Sequence, residues 1–142
     1  MNLKDIKRED FNFLKSIQSR WVDMDALRHI NNAVYLSYFE SARVEFLDSL
    51  GININRWEGD ESVILANMEI NYLSQSSYPN TYDVGSRISR LGTKSFDIFS
   101  AIFDNNHLSP IVAGTFITVC FNYKTQQTIL IPKDIKDAYK PF

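Results

Sequence analysis

Asp23, Asp25, His29, Asn31 and Asn32 crowd the short stretch between Trp21 and Ala33, the densest cluster of reactive polar side chains in the sequence. A carboxylate can activate water as a general base. It can also attack an acyl carbon directly and give an anhydride. Residue types alone leave both routes open. Either route builds negative charge on the former carbonyl oxygen, and that charge needs fixed donors. A helix N-terminus supplies them, because its first N–H groups lack intrahelical acceptors and lie at the positive end of the helix dipole. One such donor lowers the barrier by roughly 3–4 kcal/mol. Asp25 ahead of a helix that begins near Asn32 is a set suited to thioester hydrolysis. The plainer alternative is that the same Asp and Asn residues cap the helix and form its entry turn. Asp23 fits that structural role better than a catalytic one.

These side chains need a strand before them and a helix behind them. Phe13 to Trp21 reads as the strand, with Ile17, Ser19 and Trp21 on one side. The spacing predicts a helix over Asn32–Leu50, since Tyr35, Phe39, Ala42, Phe46 and Leu50 recur at helical intervals. Asn31 or Asn32 caps its start, and Gly51 stops it by taking the left-handed conformation without a Cβ clash. The stretch between strand and helix is therefore expected to be partly enclosed. Arg43 falls on the apolar stripe, where an unpaired charge is costly. It is expected to pair with Glu40, three residues earlier, or with a carboxylate across a subunit boundary.

After a connection over 52–60, strands dominate: Glu61–Leu73, Thr81–Leu91, Lys94–Asp104 and Ile111–Tyr123. Tyr78-Pro79-Asn80 breaks the run, and Gly92-Thr93 and Asp104–His107 make turns. A short strand over Thr128–Ile131 and a terminal helix over Pro132–Tyr139 complete the chain. One long helix beside hairpin-linked strands is an α+β arrangement, here as one domain over 1–142. The sheet must curl to cover so wide a stripe. An outer edge or face left apolar then favours a partner subunit.

Composition excludes several other classes. A net charge of −2 offers no general attraction to nucleic acid or to an anionic membrane. The lone cysteine, Cys120, sits in the apolar run Phe116–Phe121 and is expected to be buried and inert. A single cysteine and two histidines without close spacing argue against a metal site. No Gly-rich phosphate loop is present, which removes nucleotide hydrolysis. The polar N-terminus lacks the apolar stretch of a signal peptide, and no run approaches the roughly 20 apolar residues of a membrane span. A cytoplasmic protein is the expectation.

The run from Asp23 to Tyr35, followed by Tyr38-Phe39-Glu40-Ser41-Ala42-Arg43, resembles the signature of 4-hydroxybenzoyl-CoA thioesterase-like hotdog proteins. Plant acyl-acyl carrier protein thioesterases carry a similar Asp-to-His-Asn-Asn run. The resemblance implies a hotdog fold, in which a curved antiparallel sheet wraps a long central helix, assembled as a homodimer or homotetramer. It implies hydrolysis of an acyl-CoA thioester, with Asp25 as the catalytic carboxylate, a backbone donor near Asn32 and a supporting place for His29. Glu40 is a lesser candidate, because another hotdog branch uses a helix glutamate. Leu27 stands where the acyl carrier protein branch has an Asn, so that branch's mechanism does not carry over whole. Lys94, Arg90 and Ser95 match the residues that meet the phosphates of coenzyme A. Coenzyme A is then part of the substrate, and no separate cofactor is implied. An apolar or aromatic acyl group would sit against Trp21, Tyr35, Phe39 and Met68. A non-catalytic acyl-CoA binding or sensing module is the competing class, and an acyl carrier protein substrate is a variant of the first. A hotdog dehydratase fits the run less well.

Overall fold

A computed structural model describes residues 1–52 and 59–142. Most of the connection expected over 52–60 lies outside the described residues. The helix α1 runs Asn32–Ser49. It packs on a sheet of six strands: β1 Phe13–Gln18, β2 Glu61–Tyr72, β3 Thr81–Leu91, β4 Ser95–Asp104, β5 Val112–Asn122 and β6 Gln127–Thr128. The sheet order is β1-β3-β4-β5-β2, antiparallel at every step, with β6 beside the end of β5. A short helix α2, Lys133–Asp137, follows.

The helical stripe read from the sequence is the face that meets the sheet. Tyr35, Tyr38, Phe39, Ala42, Phe46 and Leu47 are all buried. The Phe39 ring packs at a tilt against Phe116 of β5, centroids 5.1 Å apart, and Phe46 likewise against Phe13 of β1 at 5.3 Å. Fully burying such side chains contributes about 1.5–3 kcal/mol each. The strands answer with alternation: Phe96, Ile98 and Ile102 of β4 join the core under α1. This is the α+β, curled antiparallel architecture expected.

Three local expectations fail for identifiable reasons. β1 ends at Gln18, not Trp21, because a 3-10 turn spans Trp21–Asp23. Asp23 folds back to accept the Arg20 N–H at 2.9 Å, and this turns the chain out of the sheet. Trp21 is left 72% exposed, edge-on to Tyr78 at 5.9 Å. The short strand shifts to Gln127–Thr128 and the terminal helix shrinks to Lys133–Asp137. Over β4 and β5 the outer face of the sheet is covered by the chain's own N-terminal segment, while the β2 edge keeps Ile64, Leu65 and Met68 exposed, the apolar edge expected from the sequence. Ile6 and Phe11 pack there against Phe99, Ala101, Phe103 and Ala113. Phe11 sits directly on Gly85, where a Cβ would lie 2.5 Å from its ring.

Candidate active site

The polar stretch forms a closed turn ahead of α1. Met24 and Ile30 bridge antiparallel, and inside that bridge the Asp25 N–H donates to the His29 carbonyl at 2.9 Å. The Arg28 N–H returns to the Asp25 carbonyl at 3.0 Å. One oxygen of the Asp25 carboxylate accepts the Leu27 N–H at 2.9 Å, so the acid is held by its own loop. Arg28 takes φ of +62°, a left-handed conformation that costs a non-glycine residue of order 1 kcal/mol.

The turn is anchored from outside at several points. The Ile30 N–H donates to the Ser76 carbonyl at 2.8 Å, and the Ser77 hydroxyl to the Arg28 carbonyl at 2.8 Å. The Asn31 N–H donates to the Asp23 carbonyl at 2.9 Å. Asp23 is 1% exposed. It accepts the Tyr38 hydroxyl at 2.6 Å and two Arg20 guanidinium N–H groups at 2.9 and 3.1 Å. Burial raises the pKa of this carboxyl, but the bonds from Tyr38 and Arg20 outweigh burial and hold it below the usual carboxylate range. Asp23 thus has the structural role read from the sequence.

Asn31 is the N-cap: its side-chain oxygen accepts the Ala33 N–H at 2.8 Å, and its carbonyl accepts the Val34 N–H at 2.9 Å. The Asn32 N–H has no acceptor among the described residues, as the first turn of a helix requires. Asp25, His29 and Asn32 line one open cleft of about 470 Å³, with Tyr35 on its floor and Tyr72 to Gln75 along its far wall. The Tyr72 hydroxyl donates to the Asn32 carbonyl at 3.0 Å and so ties the strand end to the helix start. The expected enclosure is not found in the single chain. Asp25, Leu27 and Arg28 are exposed, because backbone bonds hold the turn in place and no further element lies over it.

Other expected residues lie elsewhere. Of the four expected acyl contacts, only Tyr35 lines this cleft. Phe39 is core, Trp21 is on the surface, and Met68 is exposed on β2. Glu40 is exposed and does not line the cleft. It makes no ion pair with Arg43, whose guanidinium lies 4.7 Å over the Phe116 ring instead. That aromatic face offsets the missing partner, and burial lowers the Arg43 pKa against a raising influence from Glu40. Cys120 is buried, and burial pushes its thiol up to about 11.

Arg90, Lys94 and Ser95 meet at the β3–β4 turn, but not at the cleft. Arg90 pairs with Asp97 at 2.8 Å and bonds the Ser95 hydroxyl at 3.2 Å, while Lys94 is exposed. The Asp25 turn is tied to Ser76 and Ser77, just ahead of β3. The β3–β4 turn is at the far end of that strand, about 35 Å away at about 3.3 Å per residue. Within one chain these two groups of residues are not brought together. Sequence reasoning missed the tyrosines at positions 72 and 82 and the anchoring serines. No local spacing announces them, because they reach the site from distant strands.

The chain matches the thioesterase-like superfamily over residues 19–139. It is 27% identical over 124 residues to the long-chain acyl-CoA thioesterase FadM of Escherichia coli, covering 85% of this chain and 92% of that protein. It is 30% identical over 131 residues to the chloroplastic acyl-acyl carrier protein thioesterase ATL3 of Arabidopsis thaliana, covering 89% and 66%. The crystal structure of the PA5185 protein of Pseudomonas aeruginosa superposes with a TM-score of 0.83 at 26% identity, over 93% and 92% of the two chains. The curled sheet and long helix are those of the hotdog fold.

Proposed function

Because this chain belongs to the thioesterase-like superfamily, we propose that it hydrolyses an acyl-CoA thioester at the cleft between the Asp25 turn and the start of α1. Thioester hydrolysis is the chemistry that the family and the FadM relative support. The observation that carries the residue assignment is the shared cleft: Asp25, whose carboxylate is restrained by the Leu27 N–H, lines the same space as Asn32, whose N–H has no acceptor among the described residues.

In this reading the thioester oxygen accepts the Asn32 N–H. Asp25 takes a proton from water, whose oxygen bonds to the acyl carbon. The C–S bond then breaks, and the departing thiolate recovers the proton. Direct attack by Asp25 gives an anhydride that water opens, with the same products. His29, beside Asp25 in the cleft, orients the water. The pocket is one-sided in a single chain, and its missing wall is a second copy of this chain. β2 is a twelve-residue edge strand with Ile64, Leu65 and Met68 exposed, so it is able to pair with its own copy. A homodimer formed this way encloses the cleft and brings a partner's Lys94 end to it. Among the described residues no helix is long and apolar enough to cross a membrane.

Thiol release from a panel of acyl-CoAs tests the assignment. Asp25→Asn keeps a side-chain oxygen for the Leu27 N–H, so the turn survives. We expect kcat/KM to fall by at least about 100-fold. Equal rates for the two proteins would remove Asp25 from the mechanism. Binding without turnover in the native protein would favour the sensing module. The relative acting on acyl carrier protein makes that carrier the obvious second substrate, to be compared at matched acyl length.

A further inference from the structure

Four tyrosines meet beneath the cleft, and among the described residues only one of the four hydroxyls has no partner. The Tyr35 ring lies 6.0 Å from Tyr38, 6.2 Å from Tyr72 and 6.4 Å from Tyr82. The Tyr38 hydroxyl donates to Asp23, the Tyr72 hydroxyl to the Asn32 carbonyl, and the Tyr82 hydroxyl to Ser76. Tyr35 is 2% exposed and its hydroxyl has no partner among the described residues. A buried polar group without a partner is rare, and phenylalanine would fill the same space without the desolvation cost. Burial, reinforced by Tyr82, Asp104 and Tyr72, pushes the Tyr35 pKa up, so the group stays protonated and is a donor.

We infer that the Tyr35 hydroxyl is a specificity determinant that donates to an oxygen on the acyl group, selecting β-hydroxyacyl over unsubstituted acyl thioesters. This rests on the cleft being the acyl-CoA site. Tyr35 lines that cleft and follows Asn32 by three residues, one turn along the helix. The rise is about 4.5 Å, and helical side chains lean back toward the N-terminus. The Tyr35 side chain therefore leans back toward the helix start, where the thioester oxygen is proposed to accept the Asn32 N–H. In the proposed pose an oxygen two carbons from the thioester group is the acyl atom placed to accept from this hydroxyl. A plain acyl chain leaves the hydroxyl buried and unpaired, and such sites discriminate against the ligand that lacks the matching group.

The test compares matched β-hydroxyacyl and plain acyl thioether analogues of coenzyme A, short and long, by calorimetry on the native protein and on Tyr35→Phe. Thiol release from the matching thioesters is measured in parallel. The native protein should prefer the hydroxylated analogue, and Tyr35→Phe should reduce that preference by roughly 3- to 10-fold. The variant's melting temperature should be unchanged or higher, since it loses only an unpaired buried oxygen. An equal preference ratio in the two proteins overturns the inference, as does binding of neither analogue. Selective binding without thiol release sinks the hydrolytic reading and leaves this one standing. Thiol release without selectivity does the reverse.

Discussion

At the scale of single residues, Asp23 and Asp25 show how two acids one residue apart take different roles. Asp25 meets a single backbone donor and open space, whereas Asp23 is buried under Tyr38 and Arg20. Asp23 therefore links the Asp25 turn to stability. Its folded pKa is depressed, so the charged form is favoured in the folded state. Its contribution is present above the unfolded carboxyl value of about 3.9 and is lost as the pH falls below it toward the folded value. Urea unfolding midpoints should drop between pH 5 and pH 3 (about the carboxylate range), and the drop should be smaller in Asp23→Asn. At neutral pH that variant should lose about 1–3 kcal/mol, because the Arg20 and Tyr38 donors lose a charged acceptor. A wild-type slope retained in the variant would assign the acid sensitivity to other carboxyls. The Asp25-to-Asn32 set was legible in the sequence because turn, cap and donor are neighbours along the chain. The uncommitted hydroxyl of Tyr35 was not, since it is defined by what Tyr38, Tyr72 and Tyr82 do with theirs.

At the scale of elements, α1 and the four long strands follow from periodicity that any register preserves: Tyr35, Phe39, Ala42 and Phe46 on the helix, Phe96, Ile98 and Ile102 on β4. The N-terminal segment has no such period. Ile6 and Phe11 are lone apolar residues in a charged stretch, and only the fold shows that they roof the outer sheet face. The roof is pinned by Arg8, which pairs with Asp83 at 2.8 Å and donates to the Asp104 carbonyl at 2.7 Å. Arg87 adds a bond to the Asp10 carbonyl at 2.7 Å. Gly85 is what lets Phe11 lie flat on β3. Gly85→Ala would place a methyl 2.5 Å from the ring, and Phe11 has to move. The expected cost is about 1–3 kcal/mol, with faster hydrogen exchange over the first strand's preceding residues and increased binding of a hydrophobic dye to the uncovered Phe99 and Phe103. Unchanged stability would mean that the segment contributes little to the outer core.

At the scale of the whole molecule, the proposed site depends on where Lys94 lies. Its end of the sheet is one strand length from the Asp25 turn, so no motion of side chains within one chain joins them. An antiparallel pairing of β2 with its copy reverses the second chain, and the partner's Lys94 then faces the end that carries this chain's Asp25. The proposed site is thus composite, with the acid from one copy and the phosphate contact from the other. Leu65→Lys would set like charges against each other across the twofold axis, which disfavours edge pairing, and should convert a dimer to a monomer in light scattering. It should also lower thiol release. Subunit mixing separates the composite site from a merely dimeric one. Asp25→Asn alone should be nearly inactive, and Lys94→Ala alone should raise KM by roughly 3- to 10-fold, as expected for one lost charge-assisted contact. In a mixed dimer, one of the two sites pairs an intact Asp25 with an intact Lys94 from the other chain, so activity at low substrate should exceed that of either parent. If Lys94 instead served its own chain's acid, mixing would produce no intact site, and the mixture would show only the average of its parents.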